Sequence, residues 1–169
     1  TITIDAPAKA EDSAMVPVSV GIASTVAPTA KSLTVVIDRN PSPVVARVEF
    51  GSAAGQSART FATRVRFDSF SLLRAIIETD DGKLHMVSTF VKAAGGCSSI
   101  ALKDAEEAAQ HVGEMRISAL GALPRFKSNE NTKPMGEAQV MIRHPNTSGM
   151  QLNPDTGQYF PARFINELE

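Results

Sequence analysis

Between residues 16 and 91 apolar and polar positions alternate in short runs broken by turn residues, a period of two that predicts strands. Val16-Pro17-Val18-Ser19-Val20-Gly21-Ile22 alternates weakly, and its proline suits an edge or a strand start, where no ladder bond is needed from that nitrogen. Lys31–Asp38 is β-branched and ends in the turn-rich Asp38-Arg39-Asn40-Pro41-Ser42-Pro43. Val44–Phe50 follows, closed by Gly51. Thr60–Phe67 alternates almost strictly, with Phe61, Thr63, Val65 and Phe67 on one face and Arg64 and Arg66 on the other. Leu72–Thr79 and Leu84–Val91 flank Asp80-Asp81-Gly82-Lys83, a hairpin turn whose glycine tolerates positive φ. Six or seven strands with no helix between them predict an all-β antiparallel sandwich over residues 16–91. Its expected core includes Val35, Ile37, Val48, Phe50, Val65, Phe67 and Ile76.

The pattern then changes. Ala93–Ser99 is a run of small residues. Asp104–Met115 reads as one short helix, with Asp104 as cap, Glu107 as its capping-box partner, and Ala105, Ala108, Ala109, Val112 and Met115 as a modest apolar stripe. Ser118–Gly136 is polar, punctuated by glycine and proline, and reads as a linker. Glu137–Pro145 is another strand, Asn153–Gly157 a turn, and Tyr159–Leu168 a further strand candidate.

With 43 % hydrophobic residues in 169, the chain has enough apolar surface for a packed core. A net charge of −1 argues against nucleic-acid or membrane partners, and no apolar run approaches the roughly 18 residues of a membrane span. The opening Thr1-Ile2-Thr3-Ile4-Asp5 lacks the basic and apolar regions of a signal peptide, so any leader is expected to have been removed already. One cysteine excludes an internal disulfide and any CxxC site. The three histidines (85, 111, 144) have no metal-ligand spacing, so neither a metal nor another cofactor is expected.

Gly95-Gly96-Cys97-Ser98-Ser99 is the most informative segment. Two glycines free the backbone and remove bulk, so Cys97 is expected to project into solvent from a hinge at Gly95 and Gly96. The thiolate is the reactive form, and with Lys92 as the nearest basic residue in sequence the thiol is expected to be unactivated. An idle surface thiol fits the same pattern. His144, ending a strand, could serve as base, ligand or surface residue. His85 and His111 read as structural or solvated. Arg64 and Arg66 read as a solvated sheet face, with anion binding the weaker reading. Asn40–Pro43 reads as a connecting loop. No Ser/His/Asp order, P-loop or GxGxxG motif is present, so no catalytic residue is assigned.

Taken together, Ala10–Val18, Asp38–Pro43, Thr63–Arg66, Asp81-Gly82-Lys83 and Gly95-Gly96-Cys97 resemble SoxY, a periplasmic carrier of bacterial sulfur oxidation. Gln139–Pro145, Ser148-Gly149 and Phe160–Ile165 resemble the opening of SoxZ, its partner. Their order is similar to that of fused SoxYZ-like carriers associated with quinoprotein dehydrogenases. The resemblance implies an immunoglobulin-like sandwich over 1–99, a helix and linker over 100–136, and the N-terminal part of a SoxZ-like β-sandwich over 137–169. It further implies that Cys97 holds a sulfur compound covalently, that Gly95 and Gly96 form the arm hinge, and that partner oxidising enzymes supply the chemistry. The location it implies is periplasmic. Two features depart from the family pattern: the chain continues past Cys97 where the SoxY arm ends, and the SoxZ-like part is far shorter than the roughly 100 residues of a sandwich. Its unpaired strand edges and exposed Phe160, Phe164 and Ile165 are expected to dock on the first domain or on a second copy of the chain.

Two other readings stand beside the carrier. One is an immunoglobulin-like interaction module with an incidental thiol; the other is a cysteine-nucleophile enzyme with His144 as base. A glycine-rich arm suits the preorganisation of such an enzyme poorly.

Overall fold

The computed structural model describes residues 1–99, 111–122 and 136–169. The chain divides into two compact units, Thr1–Ser99 and Ile100–Glu169.

In the first unit the alternating segments become strands β1 (Ile2–Asp5), β2 (Val16–Ile22), β3 (Ala30–Ile37), β4 (Val44–Glu49), β5 (Arg59–Val65), β6 (Ser71–Thr79) and β7 (Leu84–Val91). They form two antiparallel sheets ordered β1-β2-β5 and β4-β3-β6-β7. This is an immunoglobulin-like sandwich in which the fourth strand pairs with the third instead of joining the sheet of the first, second and fifth. The N-terminal strand β1 went unread in the sequence because four residues are too few to establish a period. Pro17 lies in the middle strand of its sheet, yet β1 covers only Ser19–Ile22, so the proline nitrogen has no β1 neighbour to bond. The β6–β7 hairpin closes as expected, with Gly82 at φ 77° and its amide donating to Thr79 O at 2.8 Å.

The inward faces interdigitate. Val16, Val20, Leu33, Val35, Ile37, Phe67, Leu73 and Ile77 are essentially sealed from solvent, each such burial stabilising by about 1.5–3 kcal/mol. Of the expected core, Val35, Ile37, Val65 and Phe67 are buried, while Val48 and Phe50 pack against it half-buried. Ile76 is a correction: it faces outward on β6, and Ile77 fills the core. Two adjacent isoleucines suit either face, and the register pairing Leu33 with Ile77 decides between them.

In the second unit β8 (Met115–Ala122) pairs antiparallel with β9 (Gly136–Ile142), from Met115 opposite Ile142 to Ala122 opposite Gly136. This corrects two expectations. Residues 111–113 form a turn and Met115 begins a strand, so the helix does not reach 115; its remainder, 104–110, lies outside the described residues. Ser118–Ala122 belongs to β8 and not to a linker, and 123–135 likewise falls outside the description. Tyr159–Leu168 forms no strand; this stretch contributes only the isolated bridges of Tyr159 to Leu152 and Arg163 to Thr147.

Candidate functional site

Cys97 follows β7, where the backbone leaves the four-stranded sheet through buried Ala93 and turns at Gly95, whose φ of +79° favours glycine. The turn is closed on itself. Gly95 O accepts from Ser99 N at 3.1 Å, from Ser98 Oγ at 3.1 Å and from Ser99 Oγ at 3.0 Å.

The turn is also fastened to the sandwich. Gly95 N donates to Asp68 O and Gly96 N to Phe67 O, both at 2.8 Å. Arg66 Nη1 donates to Gly96 O at 2.8 Å and to Ser99 O at 3.1 Å. Ser13 Oγ donates to Ala94 O at 2.6 Å. Gly96 presses so closely on the backbone that a Cβ there would collide with Ser13 O and lie 2.8 Å from Phe67 O.

Cys97 is consequently 5 % exposed. The expected solvent-accessible thiol on a loose hinge is therefore corrected. Gly95 serves a turn and Gly96 a close approach, and the small residues that could have freed the segment instead let it dock. Burial pushes the thiol pKa up, the nearby Asp68 carboxylate raises it further, and the Arg66 guanidinium opposes both. The docked thiol is held neutral and weakly nucleophilic.

The cradle beneath the turn is built from segments far apart in sequence. Asn40, nearly buried in the loop after β3, donates from Nδ2 to Arg66 O at 2.7 Å and accepts from Asp68 N at 2.9 Å. Ser13 O accepts from Phe67 N at 2.9 Å. Asn40 and Ser13 thus fix residues 66–68, and the carbonyls of Phe67 and Asp68 receive the cysteine turn. Asn40–Pro43 is the expected connection between β3 and β4, and Asn40 in addition supports the cradle; the expected solvated face at Arg66 is corrected, since its guanidinium supports the Cys97 turn. Ser13 and Asp68 were not singled out at all. The available signal was that Ser13, Asn40, Arg66 and Cys97 each fall in a segment that carried the family resemblance.

Arg64 is exposed, as is His85 on β7. His111 pairs with Glu114, and His144 Nδ1 accepts from Asn146 N at 3.0 Å; both histidines belong to the second unit. Among the described residues, Asp68 and Arg66 act electrostatically on Cys97.

An antiparallel sandwich presenting a cysteine on a docked glycine turn defines a β-sandwich protein with one thiol-bearing loop. The family model of the sulfur oxidation protein SoxY matches residues 1–97, ending on the cysteine itself, and that of the sulphur oxidation protein SoxZ matches residues 125–169. The chain belongs to the SoxY family, with a SoxZ segment following in the same polypeptide. Among solved structures it is similar to the sulfur carrier protein SoxY from Chlorobium limicola f thiosulfatophilum, at 27 % identity over 54 % of this chain and 74 % of that one, with a TM-score of 0.43. It is also similar to a superoxide reductase (neelaredoxin) from Ignicoccus hospitalis, at 18 % identity over 55 % and 80 % of the two chains, with a TM-score of 0.42. No curated protein matches.

Proposed function

We propose that this chain carries sulfur-compound intermediates as covalent conjugates on Cys97 and presents them to partner oxidising enzymes of periplasmic sulfur oxidation. The observation that carries this reading is the SoxY match, which runs through the whole sandwich and ends on Cys97. The SoxZ match that follows supports a fused carrier, since the two modules stand in one chain in the order of the fused family. In this reading the protein supplies the thiol and its shelter, while partners, a quinoprotein dehydrogenase system among them, supply oxidation and hydrolysis.

Replacing Cys97 with serine in the source organism tests it. Oxidation of reduced sulfur compounds should stop while the folded protein accumulates normally; unimpaired oxidation would overturn the proposal.

A second reading is favoured by the burial of Cys97: an interaction module in which the cysteine is a small packing residue. In that case the native thiol carries no adduct, and serine at 97 changes only stability.

A further inference from the structure

Edge strands are usually blunted by lysine, proline or a bulge, because their unpaired backbone groups invite another chain. β7 carries none of these. It is the outer strand of the four-stranded sheet, and Leu84-His85-Met86-Val87-Ser88-Thr89-Phe90-Val91 contains no proline, lysine, arginine or carboxylate. Its register with β6 runs without a bulge from Leu84 opposite Glu78 to Val91 opposite Ser71. Lys92, the next residue, donates to Ala8 O at 3.0 Å and accepts from Ala10 N at 3.1 Å, so its backbone groups point away from β6. By alternation the backbone groups of Leu84, Met86, Ser88 and Phe90 point the same way. Among the described residues no backbone bond meets these four from that side, and β1, in the facing sheet, forms no ladder with them. The side chains of Leu84, Met86 and Phe90 are 68, 52 and 49 % exposed. The two ends of the strand differ in charge. Asp80 and Asp81 lie in the turn before it, whereas Lys9 and Lys92 form a parallel bridge where it ends.

We propose that β7 is a self-association edge, pairing antiparallel with β7 of a second copy of this chain across a two-fold axis and joining two four-stranded sheets into one. The geometry sets the register, since outward groups must face outward groups. With Leu84 opposite Phe90 of the second copy and Met86 opposite its Ser88, the axis passes at Val87 and every outward amide and carbonyl from 84 to 90 is matched. Shifting the second copy by two residues toward Lys92 would drive it into residues 8–10, which already hold that position. Shifting it the other way sets Phe90 against the Gly82 turn and leaves it unmatched. The matched register lays Leu84 of each copy beside Phe90 of the other and covers side chains that otherwise face water. It also brings the Asp80-Asp81 turn of each copy alongside the Lys9–Lys92 bridge of the other. Lys83, the cation in that turn, is already held by Asp81 at 2.5 Å. A strand with an acidic start, a neutral apolar middle and a basic end complements itself when antiparallel, which favours a second copy over an unrelated strand. Nothing in this pairing uses the Cys97 turn, so it holds or fails independently of the carrier reading.

Sedimentation velocity of the full chain, from low to high micromolar concentration, tests the proposal. A reversible monomer–dimer equilibrium is expected, weakening as salt screens the paired ends. Ser88→Pro removes one outward N–H from each copy and leaves the β6 ladder intact, at a position where an edge strand tolerates proline. It should raise the dimer Kd about tenfold, the order expected for lost backbone hydrogen bonds. Should Ser88→Pro fail to fold, Met86→Lys serves instead, setting a charge on each side of the axis within the apolar stretch. Lys92→Glu should also weaken the dimer, and adding Asp80→Lys should restore it, because these positions meet in the matched register. Four results would each overturn the proposal: a chain that stays monomeric at the highest concentration, open-ended assembly in place of a closed dimer, a dimer unchanged in the folded β7 variants, or charge reversal at Lys92 with no rescue by Asp80→Lys.

Discussion

The amide of Gly96 donates to the carbonyl of Phe67 at 2.8 Å, and any side chain at 96 would collide with backbone on the facing segments. Phe67 is itself sealed in the core. The peptide next to Cys97 is thereby bonded to the backbone of a fully buried residue.

Gly96→Ala tests that packing. The obstructing atoms are backbone oxygens of Ser13 and Phe67, which cannot swing aside as the end of a flexible side chain can. The variant should fold, lose the docked turn and alkylate at Cys97 many times faster than the parent in native buffer. Unchanged protection of the thiol would mean that the close approach is not what holds it.

Asn40→Ala should act on both stability and reactivity. It deletes two hydrogen bonds, to Arg66 O and from Asp68 N, at a nearly buried position. A loss of about 2 kcal/mol is expected in urea denaturation, together with faster alkylation of Cys97, because residues 66–68 form the cradle. A stability loss with no change at the thiol would separate the two.

The raised thiol pKa fixes a pH dependence. The folded state binds the Cys97 proton more tightly than the unfolded chain does. The stabilisation is therefore fully present below the ordinary thiol pKa of about 8.5 and is lost as pH rises through the folded value above it. Urea midpoints measured on either side of that range should fall more in the parent than in Cys97→Ser. Equal falls would mean that the docked thiol does not couple to stability.

The two faces of β6 should differ sharply on truncation. Ile77→Ala opens a cavity in the sealed core and should cost about 3 kcal/mol. Ile76→Ala, on the half-exposed outer face, should cost about 1 kcal/mol or less. Chemical denaturation of the two variants decides this.

The strands of the first unit were legible because a half-buried strand writes its two faces into the sequence, as Phe61, Thr63 and Val65 do on β5. Met115–Ala122 was not, since it contains small residues and a glycine and finds its partner only across residues 123–135. The identity of the thiol-bearing residue was legible; its environment was not. Glycine at 96 fits a free hinge and a tight contact equally well, and only the approach of Ser13 and Phe67 distinguishes them. Arg66 shows the same limit: the alternation puts it on the outer face of its segment, but the turn that it grips lies 30 residues further along the chain.

The central claim is that Cys97 carries sulfur, and the intact mass of the protein purified from its source organism under non-reducing conditions tests it most directly. Carriage predicts a population heavier than the bare chain by sulfur-containing groups, removed by a thiol reductant and mapping to the peptide that contains Cys97. A single species at the mass of the unmodified chain, taken from cells actively oxidising sulfur compounds, would contradict it.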